Sequence, residues 1–166
     1  MLILICGLPG VGKTTFAKEL ISKIDAEYVS SDSIRMKEFE ERTYSQEEKD
    51  NVYTLMGEEA GRLLDLGHDV VLDATFYLEK YRAMMQDLAD EYGSELKIIE
   101  CFLDEKVLEE RMEKRKKGGS ESEADFQVYQ KVAKEFERIE EKHLVINCAF
   151  PIEENVEVAV EWIQSN

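Results

Sequence analysis

A chain of 166 residues with 43% hydrophobic and 35% charged side chains has the size and composition of one globular domain with a core of its own. The formal net charge of −16 repels long polyanions and so disfavours an extended nucleic-acid footprint, although a local basic groove could still hold a nucleic-acid end. The apolar runs fall short of the ~20 residues that cross a bilayer, and no leader-like segment is visible, so a cytoplasmic protein with no membrane partner is expected.

The chain opens on an apolar run, Leu2 to Cys6, short enough for a strand buried on both faces. Next come Gly7-Leu8-Pro9-Gly10-Val11-Gly12-Lys13-Thr14, which fill every position of G-x-x-x-x-G-K-[ST]. Thr15, Phe16, Ala17, Leu20 and Ile21 then follow at helical spacing. Strand, glycine loop and helix in that order are the context a phosphate-binding loop requires. Its glycines let backbone amides turn toward an anion, and the helix N-terminus adds its positive dipole end. Lys13 is a point charge for the outer phosphates, and the Thr14 hydroxyl is a ligand for Mg²⁺. Gly7, Pro9, Gly10, Val11, Gly12, Lys13, Thr14 and Thr15 are therefore the expected nucleotide-binding residues.

Further strands are predicted at Tyr28–Ser30, Val70–Leu72, Lys97–Leu103 and Leu144–Cys148. Ser45 with Glu48 reads as a capping box, and Val52, Leu55, Met56, Ala60, Leu63 and Leu64 then make one stripe ending before Gly67. A helix is predicted from about Glu79 to Tyr92, with Tyr81, Met84, Met85 and Leu88 inward and Gly93 after its end. Strands alternating with helices imply a parallel sheet covered on both faces. From Asp104 the pattern changes. Val107, Leu108, Arg111, Met112 and Arg115 share a helix that runs into Lys116-Lys117-Gly118-Gly119, and a second helix is predicted from Phe126 to about Lys142. Two helices on a Gly/Ser hinge between the fourth and fifth strands, roughly residues 105–142, have the make-up of a lid. A last helix follows Pro151. The cysteines at 6, 101 and 148 are far apart in sequence and read as buried, unpaired hydrophobes.

Ligands of open parallel sheets collect beyond the carboxyl ends of the strands, which selects the residues just after each strand. After the second strand stand Ser31-Asp32-Ser33-Ile34-Arg35. Asp32 reads either as a general base on an acceptor hydroxyl or as a helix N-cap, and Arg35, one turn on, as a grip on phosphate or acceptor. Asp73 ends the third strand as a Walker-B carboxylate would, for metal or acceptor, with helix capping as the alternative. Arg111 and Arg115 lie four residues apart on one helix face, placed to neutralise a transferring phosphoryl group. The alternative is a solvated face paired with neighbouring glutamates. His68 and His143 stand at strand starts, away from this end. Tyr77, Tyr81 and Tyr129 read as packing residues more readily than as the lining of an acceptor pocket.

The phosphate loop, Asp32-Ser33-Ile34-Arg35, the strand end Leu72-Asp73-Ala74-Thr75 and the arginine lid together resemble the P-loop kinases related to the kinase domain of bacteriophage polynucleotide kinase and to zeta toxins. The resemblance covers nearly the whole chain. It implies a three-layer α/β sandwich with a five-stranded parallel sheet and a helical lid between strands four and five. It also implies an ATP-dependent phosphotransferase acting on a hydroxyl, with ATP and Mg²⁺ as cofactors. Lys13, Asp32, Arg35, Arg111 and Arg115 would be catalytic, Arg111 would also touch the nucleotide, Thr14 would serve the metal, and Asp73, which in the family's pattern helps to hold the acceptor, would serve acceptor or metal. Asp32 is expected on the strand next to the phosphate loop. The acceptor class stays open between small molecules and nucleic-acid 5′-hydroxyl ends, with a nucleotide-dependent switch or hydrolase acting on a protein as the alternative.

Overall fold

The computed structural model describes residues 1–41, 43–117 and 122–165. Its centre is β1 (Leu2–Cys6), buried along its whole length. The chain then alternates: α1 (Lys13–Ile21), β2 (Ala26–Ser30), α2 (Ser31–Glu38), α3 (Gln46–Asp65), β3 (Asp69–Asp73), α4 (Glu79–Glu91), β4 (Leu96–Phe102), α5 (Glu105–Lys117), α6 (Ser122–Glu135), β5 (His143–Asn147) and α7 (Ile152–Gln164). All strand pairs are parallel, in the order β2-β3-β1-β4-β5.

Alternation along the strands sends successive side chains to opposite faces and so builds two cores. Leu2, Leu4, Val70, Leu72 and Ile98 pack with Val52, Met56 and Ala60 of α3 and Tyr81 and Met85 of α4. Ile3, Ile5, Val71 and Ile99 pack on the other face with Phe16, Ala17 and Leu20 of α1 and Val156 and Ala159 of α7. This is the three-layer arrangement expected. Among the described residues no helix is long and apolar enough to cross a membrane.

Three details depart from the sequence-based expectation. Asp32 does not follow the strand adjacent to the phosphate loop, because β3 lies between β1 and β2. The capping box forms at Ser30, whose side chain accepts from the Ser33 amide while Ser33 reaches back to the Ser30 amide. At Ser45 only half of one forms: Ser45 accepts from the Glu48 amide, but the Glu48 carboxylate is drawn to the amides of Thr43 and Tyr44 instead. Finally, α6 ends at Glu135 rather than near Lys142. The Glu137 amide donates to the Tyr77 carbonyl at 2.8 Å, its carboxylate accepts the amide of Glu79, and the Arg138 carbonyl accepts from Arg82 at 3.0 Å. These contacts with the β3–α4 connection take the place of a further helical turn, and the carboxylate of Glu137 caps a helix whose own N-cap, Leu78, has no side chain to do so.

Candidate active site

The phosphate loop is shaped by what lies beneath it. Gly7 has φ 136°, and a Cβ there would meet the Cys101 carbonyl oxygen at 2.2 Å, so only glycine lets the loop rest on β4. Gly12, the N-cap of α1, has φ 114° and lies over Cys148, 3.7 Å from where a Cβ would stand. Positive φ at these positions is open to glycine and strained for other residues. Lys13 is buried and its ammonium donates to the Leu8 carbonyl at 2.9 Å, closing across the loop. Burial lowers its pKa, opposed chiefly by the Asp73 carboxylate and more weakly by Asp32.

Thr14 and Asp73 meet. The Thr14 hydroxyl donates to Asp73 Oδ2 at 2.7 Å, across 59 positions of sequence. Asp73 is 4% exposed and is not a helix cap, since α4 begins at Glu79 behind Leu78. The Tyr28 phenol, absent from the sequence-based site, donates to the same Oδ2 at 2.7 Å. The donor set is hydroxyl and carboxylate oxygen, which suits Mg²⁺ held between protein, water and phosphates. No group of three or more His, Cys, Asp or Glu that could hold a metal exists among the described residues, so a metal here would depend on substrate oxygens as well.

Asp32 stands in the first turn of α2 with its side chain 81% exposed. Ser30 is the N-cap, which removes the capping reading of Asp32. Arg35 is nearly buried; its Nη1 lies 3.4 Å from Asp32 Oδ1 and its Nε 3.1 Å from Glu48 Oε1, and its guanidinium lies over the Tyr44 ring. Glu48 is the residue that sequence reasoning missed. Burial raises its carboxyl, but the Thr43 hydroxyl, the Tyr44 and Thr43 amides and Arg35 outweigh that and hold it below the usual range. Arg35 is therefore anchored from behind, with Asp32 on its open side. The signal was present as an Arg and a Glu 13 positions apart, a distance that only the α2–α3 packing interprets.

On α5, Arg111 donates to the Cys148 carbonyl at 2.8 Å, which ties this helix to the β5–α7 connection. The Arg115 side chain and the Gly118-Gly119-Ser120 hinge lie outside the described residues. The fold joins two cysteines that the sequence keeps apart: Cys101 and Cys148 hydrogen-bond through their sulfurs, and the Cys101 thiol lowers the pKa of Cys148. All three cysteines are free. Tyr77 and Tyr81 are buried, and Tyr81 stacks within an aromatic cluster on Tyr53. A cavity of about 610 Å³ opens beside the loop, lined by Leu8, Val11, Phe102, Tyr129, Phe136 and His143 among others; Asp32 and Asp73 lie outside it.

A family model described as "AAA domain" matches residues 2–139. Uncharacterized proteins of Mycobacterium tuberculosis and Mycobacterium bovis are 28% identical over 137 residues, covering 75% of this chain and 28% of theirs, so the chain spans little more than a quarter of these relatives. Among solved structures, the Mycobacterium tuberculosis APS kinase CysC in complex with AMPPNP and APS superposes with a TM-score of 0.80 at 19% identity, covering 99% of this chain and 97% of that one. A sugar kinase from Janibacter sp. superposes with a TM-score of 0.77 at 19% identity, covering 98% and 93%. At that identity the likeness is one of fold, and the fold is that of the P-loop kinases.

Proposed function

The chain belongs to the AAA domain family, and from that premise we propose that it is an ATP-dependent kinase that moves the γ-phosphoryl group to a hydroxyl acceptor. Small molecules are the favoured acceptors and nucleic-acid 5′ ends the less favoured, because the net charge of −16 repels the latter. The spacing of Asp32 and Arg35, together with the loop and the lid, supports a place beside the polynucleotide kinase and zeta-toxin group. The observation that carries the reading is Asp32: an exposed carboxylate, steadied by the nearly buried Arg35, at the same end of the sheet as Lys13 and acting on its charge. A nucleotide switch has no need of a second carboxylate open to an incoming alcohol.

In this reading the loop amides, Lys13 and the α1 N-terminus hold the phosphates. Thr14 and Asp73 hold Mg²⁺, which when bound supplies positive charge to the phosphate oxygens. Asp32 orients the acceptor hydroxyl and takes its proton as the new P–O bond forms and the bond from the γ-phosphorus to the β,γ-bridging oxygen breaks, leaving ADP on the loop. Arg35 holds Asp32 in place at its edge. Arg111 and Arg115, carried on α5, close over the transferring group, and Arg111 sheds its bond to the Cys148 carbonyl to do so.

The test is a radiolabelled transfer screen from [γ-³²P]ATP to DNA and RNA 5′-hydroxyl ends, nucleosides, sugars and amino alcohols. Label on one acceptor class, with ATP turnover stimulated by it, is expected. Slow hydrolysis indifferent to every alcohol would give the protein back to the switches and hydrolases.

A further inference from the structure

Tyr28 lies on β2 opposite Val71 of β3. Asp73 lies two residues farther along β3, on the same face as Val71 because side chains alternate. A step of two strand residues is ~6.6 Å, close to the reach of a tyrosine from Cα to hydroxyl. The phenol thus runs diagonally over the strand pair and ends on Asp73 Oδ2 at 2.7 Å. Thr14 approaches the same oxygen from α1, also at 2.7 Å.

A carboxylate oxygen has two lone-pair sites, and these donors occupy both on Oδ2. Whatever else Asp73 binds, it binds through Oδ1. Thr14 has one proton, and giving it to Asp73 turns its own lone pairs toward the loop, where a metal beside the phosphates would stand. We infer that Tyr28 is a positioning residue for the metal: it fixes Asp73 so that Thr14 presents its oxygen to Mg²⁺ and Asp73 faces a metal-bound water, which assigns Asp73 to the metal and not to the acceptor. The fit is supported by the oxygen-only donor set that Thr14, Tyr28 and Asp73 bring together. Outer partners of this kind change metal affinity by about 10–100-fold when removed.

The inference rests on the kinase reading but is tested without phosphoryl transfer. Binding of a fluorescent ATP analogue is titrated with Mg²⁺ in wild type, Tyr28→Phe and Tyr28→Leu, with EDTA controls and thermal melts. Tyr28→Phe keeps the ring and is expected to raise the half-saturating Mg²⁺ concentration about tenfold, leaving metal-free nucleotide affinity and melting unchanged. Tyr28→Leu should show the same shift with a lower melting temperature. An unmoved Mg²⁺ requirement in Tyr28→Phe, or an equal loss of affinity in EDTA, overturns the assignment while leaving the kinase reading standing. Wild-type protein that bound the analogue without regard to Mg²⁺ would overturn both.

Discussion

Asp32 and Asp73 are the same residue type with opposite surroundings, and the division of work proposed for them rests on that contrast. Asp73 is enclosed and saturated by two hydroxyls on one oxygen; Asp32 is open to solvent and touched only at the edge by Arg35. A carboxylate that must accept a proton from a visiting alcohol needs room, and one that helps to hold a metal needs fixed geometry. Replacing Asp32 by Asn is expected to lower single-turnover transfer by about 10²–10⁴-fold and to leave nucleotide affinity, measured calorimetrically, within about twofold of wild type. Wild-type transfer by that variant would take the base role from Asp32. Gly7 is the other residue whose identity is dictated by its surroundings. Gly7→Ala must both adopt positive φ and push against the Cys101 carbonyl, and urea denaturation is expected to show a loss of at least ~2 kcal/mol together with weakened nucleotide binding. Unchanged stability would mean that the loop can lift off β4. Of the site residues, the loop was legible because it is contiguous. Glu48 and Tyr28 were not, since each becomes part of the site only through packing of one element on another.

Among the elements, the segment after α6 is the one whose behaviour the sequence misjudged. Apolar residues at helical spacing suggested a helix to Lys142, and Ile139 is indeed buried, but the backbone there is committed to the β3–α4 connection. Arg82 is the clamp. It is 1% exposed and donates to the carbonyls of Phe76 at 2.9 Å and Arg138 at 3.0 Å. Its Nε lies 3.7 Å from Glu141, an ion pair too long for a hydrogen bond, and has no hydrogen-bond partner among the described residues. The clamp joins the segment after α6 to the loop that follows Asp73. Arg82→Met keeps much of the volume and strands two carbonyls; a loss of ~2–4 kcal/mol in denaturant unfolding is expected. Hydrogen exchange should rise at the amide of Glu137, which donates to Tyr77. Protection at Glu137 equal to wild type would show that the segment stays down without Arg82. Helix periodicity could not reveal this, because the competing partners of that backbone come from 56 positions away.

At the scale of the molecule, the dominant quantity is the charge of −16. Salt normally weakens the binding of a polyanion to a basic protein; on an acidic one it screens repulsion instead. Transfer to an oligonucleotide 5′ end is therefore expected to become several-fold more efficient between low salt and ~0.15 M, where the screening length falls to ~8 Å, while transfer to an uncharged small alcohol stays flat. An oligonucleotide rate that falls steeply with salt would reveal a local basic track that outweighs the net charge. The sequence by itself determined the phosphate loop, the alternation of strands and helices, and the carboxylates at the strand ends, because each is written in neighbouring residues and in the periods of 2 and 3.6 that backbone geometry imposes. The order of the strands was decided only in three dimensions. With β3 set between β1 and β2, Asp73 rather than Asp32 became the carboxylate beside the loop, and Tyr28 came within reach of it from 45 positions away. Such contacts depend on which strand pairs with which, and that is settled by the packing of the whole sheet between its two helical layers and by no local run of residues.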